Sequence, residues 1–189
     1  MSRLEESDVL RLLEEKRAVL SGHFLLSSGK HSDRYVEKAR IFEDPLLVRR
    51  FGEKIASWYE DVHTVVSPAV GAIPLGFAVA MAAGARFVYA EREEGTMQLR
   101  RGFRLEPGER VLVVEDVVTT GGSAAEVFEL VRAAGAEALG VAAMVDRSGG
   151  DLPFPLRALA RVDAGAHDPA DCPLCKAGRS ITAPGSRHL

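Results

Sequence analysis

The sequence predicts an α/β fold with a central, mostly parallel sheet, helices on both of its faces, and a small hood built from the two chain ends. Three observations carry this reading. From about residue 64 onward, short apolar runs alternate with helical patterns, the signature of βαβ units in a parallel sheet. The clearest run, Val111-Leu112-Val113-Val114, is wholly apolar and mostly β-branched, as a strand covered on both faces requires. Glu115 and Asp116 follow it directly, at the carboxyl end where open α/β sheets bind their ligands.

Taken in order, Leu10, Leu13, Val19 and Leu20 fall at near-helical spacing, so residues 7–20 are expected to form an amphipathic helix ending before Gly22. Residues 24–26 and 34–37 read as short strands around the turn Ser27-Ser28-Gly29. Pro45 opens a helix whose apolar residues are Leu46, Leu47, Phe51, Ile55 and Trp58. The βαβ pattern then gives a strand over 64–67, a helix over 73–83 and a strand over 86–90, followed by a long charged connection over 91–109. A strand over 111–115, a helix over 124–134 stopped by Gly135, and a strand over 138–145 complete it. No repeat or linker divides the chain, so one domain over 1–189 is expected, with 1–40 and 150–189 as hood and edge appendages.

At 189 residues and 47% hydrophobic, the chain has enough apolar material for a buried core. A net charge of −3 gives no electrostatic footprint for nucleic acid, so none is expected as a partner. No apolar run reaches the roughly 18 residues of a membrane span, and the acidic N-terminal segment does not read as a signal peptide. Two cysteines make no disulfide framework, which points to a reducing cytoplasm.

The chemistry concentrates after the central strand. Thr119-Thr120-Gly121-Gly122-Ser123 supplies small residues, hydroxyls and free backbone N–H groups at a helix start, a cradle for phosphate. Val117 and Val118 lead into it. Carboxylates beside such a cradle must serve something other than phosphate: ribose hydroxyls, or water on a metal ion that travels with the phosphates. The combination describes a site for a phosphorylated sugar. No Gly-Lys-Ser/Thr is present, so it is not an ATPase loop. A second turn, Ala69-Val70-Gly71-Ala72, leaves a strand at the same end of the sheet, and its small residues let backbone approach an anion closely.

The run Val-Leu-Val-Val-Glu-Asp-Val-Val-Thr-Thr-Gly-Gly-Ser resembles the phosphoribosyl-pyrophosphate (PRPP) signature of type I phosphoribosyltransferases. The segment Phe24-Leu25-Leu26-Ser27-Ser28-Gly29-Lys30-His31-Ser32-Asp33-Arg34-Tyr35 is similar to the hood that orotate phosphoribosyltransferases close over the base. With Asp146-Arg147-Ser148-Gly149 the resemblance covers most of the chain in the right order. It implies transfer of ribose 5-phosphate from PRPP to orotate, giving orotidine 5′-monophosphate and pyrophosphate in pyrimidine (UMP) synthesis. It further implies that Thr119 to Ser123 hold the 5′-phosphate, Glu115 and Asp116 the ribose hydroxyls, and Ala69 to Ala72 the pyrophosphate. Arg92, Arg100 and Arg101 would clamp the pyrophosphate, with Arg104 as a further cation, while Thr119, Arg147, Arg34 and Tyr35 hold orotate. Mg2+ is implied as the cofactor, carried by PRPP and touching Asp116 only through water. A homodimer is implied, with loop 91–104 reaching the neighbouring site.

The chain departs from the family pattern in three places. Ser27 stands where the hood commonly has lysine, Ala69-Val70-Gly71-Ala72 where the pyrophosphate loop commonly reads Ala-Tyr-Lys-Gly, and arginines where the mobile loop commonly carries lysines and histidine. Arginine supplies the charge as a bidentate fork but cannot act as a general acid. The rival readings are a purine or xanthine phosphoribosyltransferase, and a non-catalytic PRPP- or nucleotide-sensing regulator of this fold. Outside the motif, Cys172-Pro173-Leu174-Cys175 has zinc-knuckle spacing with His167, Asp171 and His188 near it in sequence. One such pair provides two of the four ligands a structural zinc needs, so it is either half of a site or a plain cysteine pair. The basic tail after Pro184 either caps the site or is solvated.

Overall fold

The computed structural model describes residues 4–26, 29–163 and 165–184. Six strands form the main sheet: β3 (Thr64–Pro68), β4 (Arg86–Glu93), β5 (Thr96–Leu99), β6 (Arg110–Val118), β7 (Glu137–Asp146) and β8 (Leu156–Arg161). They lie in the order β5-β4-β3-β6-β7-β8, parallel at every pairing except the β4/β5 hairpin at one edge. The central apolar run follows the period of the pleat. Leu112 and Val114 enter the core on one face, while Val111 and Val113 enter the core on the other.

The first face is covered by α1 (Glu6–Glu15), α3 (Pro45–Ala56) and α4 (Ile73–Ala83). Val9, Leu13, Phe51, Ile55, Leu75 and Val79 from these helices pack with Val65, Leu112, Val114 and Met144. The second face is covered by α5 (Gly122–Ala133), whose Ala124, Val127 and Val131 meet Val66, Val88, Val113 and Val141. Helices on both faces are therefore present as expected.

A second sheet of three strands, β1 (Val19–Leu25), β2 (His31–Val36) and β9 (Ala166–His167), forms the hood. Both chain ends contribute: His31 pairs with His167, and Phe24 bridges to Thr182. Short helices α2 (Ala39–Phe42) and α6 (Pro173–Lys176) flank it.

Several boundaries differ from expectation. The first helix stops at Glu15, because Arg17 turns the chain at φ 53°. Val19 and Leu20 then belong to β1 rather than to an amphipathic helix. Residues 91–109 are not one long connection: β4 continues to Glu93 and returns as β5, with Arg92 opposite Met97. Buried Met97 between exposed Thr96 and Gln98 is the period-two signal, hidden among charges. The central strand runs three residues past Glu115 to Val118. Trp58 lies beyond the end of α3. Strands β8 and β9 and helices α2 and α6 were not expected from the sequence. Ser27, Ser28 and the tail from Gly185 to Leu189, with His188, lie outside the described residues.

Candidate active site

The loop between β6 and α5 closes on itself as a small polar recess. Glu115, Val117, Val118 and every residue from Thr119 to Ala124 line a cavity of about 130 Å³. Gly121 holds the N-cap position with φ 74°, a conformation that suits glycine. Helix α5 has neither a side-chain cap nor an acidic residue in its first turn. Its leading N–H groups therefore face the recess with the positive end of the helix dipole, an arrangement that favours an anion.

Asp116 is 4% exposed, and a carboxylate so placed needs a partner. The partner is Lys38, whose Nζ stands 2.5 Å from Asp116 Oδ2. Burial pulls the Lys38 ammonium down, but the charge of Asp116, a hydrogen bond to it and the charge of Glu115 outweigh that and move it upward. Burial, reinforced by the charge of Asp116, pushes the Glu115 carboxyl up to about 8. The backbone of the other loop lies directly beneath: a Cβ at Gly71 would collide with both Asp116 Oδ2 and Lys38 Nζ. Ala69 N–H donates to the Ala90 carbonyl at 2.7 Å, and the Ala69–Val70 peptide is cis. Ala72 is buried, while Val70 is 78% exposed. The carboxylate pair, the polar recess and the Gly71 turn thus lie together at one end of the sheet. Lys38 was missed by sequence reasoning. Its only signal is scarcity, as one of few lysines in an arginine-rich chain, just after a hood strand.

Arg147 follows β7 and is fixed by its own N–H, which donates to the Val118 carbonyl at 2.8 Å. That bond sets it beside the start of the β6–α5 loop and Thr119. Its guanidinium reaches into the hood, where Nη2 donates to Ser32 Oγ and to the Arg34 carbonyl, each at 3.2 Å. Nε is buried and has no hydrogen-bond partner among the described residues. Burial pulls the guanidinium below the usual arginine range, with Asp33 and Tyr35 opposing. Tyr35 is half-buried, its ring packed on Phe24, whereas Arg34 is exposed and meets Arg147 through its backbone.

The arginines of the hairpin are not free. Arg101 forms a two-pronged pair with Glu91 at 2.7 and 2.9 Å, Arg100 pairs with Glu93 at 2.9 Å, and Arg92 pairs with Glu126 of α5 at 2.7 Å. These contacts leave Arg92 near α5, at whose start the polar recess lies, and hold Arg100 and Arg101 against β4. The arginines expected to form a clamp are therefore dispersed along the hairpin, each paired with a glutamate of β4 or α5.

A larger cavity of about 590 Å³ lies between α3 and α4, lined by apolar residues such as Leu46, Phe77 and Met81. Size alone would make it the default ligand site. Its two charged lining residues, Arg49 and Glu53, pair with each other along α3 at 3.5 Å, whereas Glu115 and the hydroxyls and backbone of residues 119–123 converge on the smaller recess.

The phosphoribosyl transferase domain family matches residues 39–154. The orotate phosphoribosyltransferase of Thermotoga maritima is 50% identical over 185 residues, 96% of this chain and 99% of its own. That of Caldanaerobacter subterraneus is 47% identical over 190 residues, 98% of this chain and 100% of its own. Among solved structures, orotate phosphoribosyltransferase from Aeropyrum pernix gives a TM-score of 0.68 at 27% identity, covering 82% of this chain and 93% of that one. Adenine phosphoribosyltransferase from Rhodothermus marinus gives 0.66 at 21% identity, covering 82% and 99%, a likeness of fold alone. Fold is thus shared with purine enzymes, and the near full-length sequence identity is what separates them: this chain belongs to the orotate phosphoribosyltransferase family.

Proposed function

We propose that this enzyme transfers ribose 5-phosphate from PRPP to a ring nitrogen of orotate, releasing pyrophosphate, as a step of pyrimidine nucleotide synthesis. The observation that carries the reading is the Glu115–Asp116 pair at the strand end beside the Thr119–Ser123 recess, with Lys38 beneath. A C–N bond forms at the anomeric carbon as the C–O bond to pyrophosphate breaks, the ring nitrogen's proton passes to the released pyrophosphate, and positive charge develops on the ribose ring in between. Residues 119–123 anchor the 5′-phosphate, which fixes the ring over the carboxylates. Glu115 and Asp116 accept from the ribose hydroxyls and stabilise the developing cation. The Gly71 turn receives the pyrophosphate on backbone N–H groups, with Lys38 as the nearest cation. Arg147 offers its unpaired Nε–H to the orotate carboxylate, with Thr119 and the half-buried Tyr35 at the sides of the base.

Magnesium suits this donor set as a passenger on PRPP. Asp116 already faces Lys38, so an all-protein cage is disfavoured, and the ion's contribution is to neutralise the leaving pyrophosphate. Arg92, Arg100 and Arg101 join the clamp by exchanging their glutamate partners for the anion. A homodimer is supported by the apolar cavity between α3 and α4 and by the exposure of Leu46, Phe77 and Met81 beside it. One folded unit in a reducing cytoplasm completes the proposal.

The test is a panel of bases assayed with PRPP and magnesium. Orotate is the expected acceptor, and Asp116→Asn should lower turnover about 10- to 100-fold, the loss of a charge-assisted hydrogen bond worth about 1.5–3 kcal/mol. Preference for a purine, or full turnover by the Asn variant, would overturn the assignment.

A further inference from the structure

We infer that the hood carries a structural zinc site made by His23, His31, Cys172 and Cys175. The ligand atoms of these four side chains all lie within 4.8 Å of one another. His23 Nε2 is 3.1 Å from His31 Nδ1, 3.5 Å from Cys172 Sγ and 3.7 Å from Cys175 Sγ, and Cys175 Sγ is 3.2 Å from His31 Nδ1. A tetrahedral zinc, with Zn–S about 2.3 Å and Zn–N about 2.0–2.1 Å, sets its ligands about 3.3–3.8 Å apart. The four separations named lie within about 0.2 Å of that range, and no pair of the ligand atoms is more than 4.8 Å apart.

Proton counting gives the same answer. His23 Nδ1 stands 2.9 Å from the Arg179 carbonyl, an acceptor only, so this nitrogen carries the hydrogen. In the neutral ring Nε2 is then bare, a single lone pair facing a second imidazole nitrogen and two sulfurs. One lone pair cannot serve three neighbours, whereas one cation bound by all four groups accounts for their convergence. The carbonyl behind the ring is the outer partner that metal-bound histidines usually have. Cys172 is fully buried, and His23 and His31 are nearly so. A donor set of two sulfurs and two imidazoles suits zinc.

Nearness to the cysteines in sequence does not decide the ligands. His167, near the cysteines in the chain, is not in the cluster; it pairs with His31 as a neighbour in β9. Asp171 instead lies 3.8 Å from Lys176. The true partners come from β1 and β2, and Cys172 is 149 positions from His23. Zinc would join the N-terminal hairpin to the C-terminal segment, stapling a three-stranded sheet too small to build much core of its own.

The experiment measures metal in the full-length enzyme after exhaustive dialysis, then cobalt uptake by the chelated protein. Wild type should hold about one zinc per chain, as a Cys₂His₂ site does. Its cobalt form should show thiolate-to-metal charge transfer and tetrahedral d–d bands. His167→Ala should keep the metal, and Cys172→Ser with Cys175→Ser should lose it. Because the cysteine variant could fail to fold, maleimide labelling of wild type is the second measurement: both thiols should be protected with zinc and labelled after chelation. No zinc uptake by folded wild type, a cobalt spectrum without thiolate bands, or labelling indifferent to zinc would each overturn the site.

Discussion

The polar recess comes from one unbroken stretch, residues 111–123, whereas the hood joins His23 to Arg179 across 156 positions. The two meet at the same site and owe their geometry to different things. In the recess, strand, carboxylates and turn follow one another along the backbone, and Leu112, Val113 and Val114 anchor them in the cores on both faces of the sheet. The hood depends on contacts between chain ends, with a loop-closure cost and few buried apolar residues to offset it. Its cohesion therefore rests on specific polar links: Arg147 to Ser32 and the Arg34 carbonyl, and the His/Cys cluster. Substitutions in the recess should act on stability and PRPP. Those in the hood should act on the base.

The largest expected effect breaks the recess. At Gly121 a Cβ would come within 2.6 Å of Leu152 Cδ2 and 3.2 Å of Phe154 Cζ, so it points into packed side chains rather than into the phosphate space. Gly121→Val adds strain from φ 74° to that overpacking, and should cost about 2–6 kcal/mol of stability along with PRPP binding. Gly122→Ala is the contrast, since the nearest atom to its Cβ would be Thr120 Oγ1 at 3.8 Å. Denaturant unfolding of the two variants checks this. Equal stability for both would mean that Gly121 is not held in the left-handed conformation.

The same contrast explains what the sequence made legible. The order acid, acid, apolar pair, Thr/Gly turn is local, so the residues that touch one another are also neighbours in the chain. Lys38 and the zinc ligands His23 and His31 are ordinary residues in their own segments and acquire meaning only through distant partners. The Cys-x-x-Cys spacing could be seen, but its partners could not, and proximity in sequence pointed to His167 instead. The hairpin was hidden because its alternation of exposed and buried residues is only four residues long in β5. Charge patterning suggested a free arginine clamp, yet Arg100 and Arg101 pair with Glu93 and Glu91 of the same pattern, and Arg92 pairs with the distant Glu126.

A smaller effect sharpens the division of labour. Arg147 belongs to the main sheet by its backbone and to the hood by its side chain. Arg147→Lys retains a charge but loses the fork that offers Nη2 to the hood and Nε to a ligand. The KM for orotate should rise roughly 10- to 100-fold, from about 1.5–3 kcal/mol of lost charge-assisted bonding, while the KM for PRPP stays within about threefold. Equal increases in both would show that hood and recess act as one unit and that their separation is artificial.

The smallest effect concerns a proton in the recess. Glu115, pushed up to about 8, is mostly neutral at pH 7, but a carboxylate is the better acceptor for ribose hydroxyls. Binding PRPP should then expel that proton, and affinity should rise with pH up to about 8. Folding responds with the opposite sign. The folded state keeps a proton that the unfolded chain releases near the usual 4.5, so this contribution is full below that pH and is lost as pH rises through about 8. Thermal midpoints should accordingly fall across that window in wild type and flatten in Glu115→Gln. PRPP carries titrating phosphates of its own, so the variant is also the control for binding. Calorimetry at pH 7 in buffers of different ionisation enthalpy should report more proton release by wild type than by Glu115→Gln, with the difference vanishing near pH 9. Identical release by the two proteins would mean that Glu115 does not change its charge when PRPP binds, and the ribose hydroxyls would then have Asp116 alone as their carboxylate.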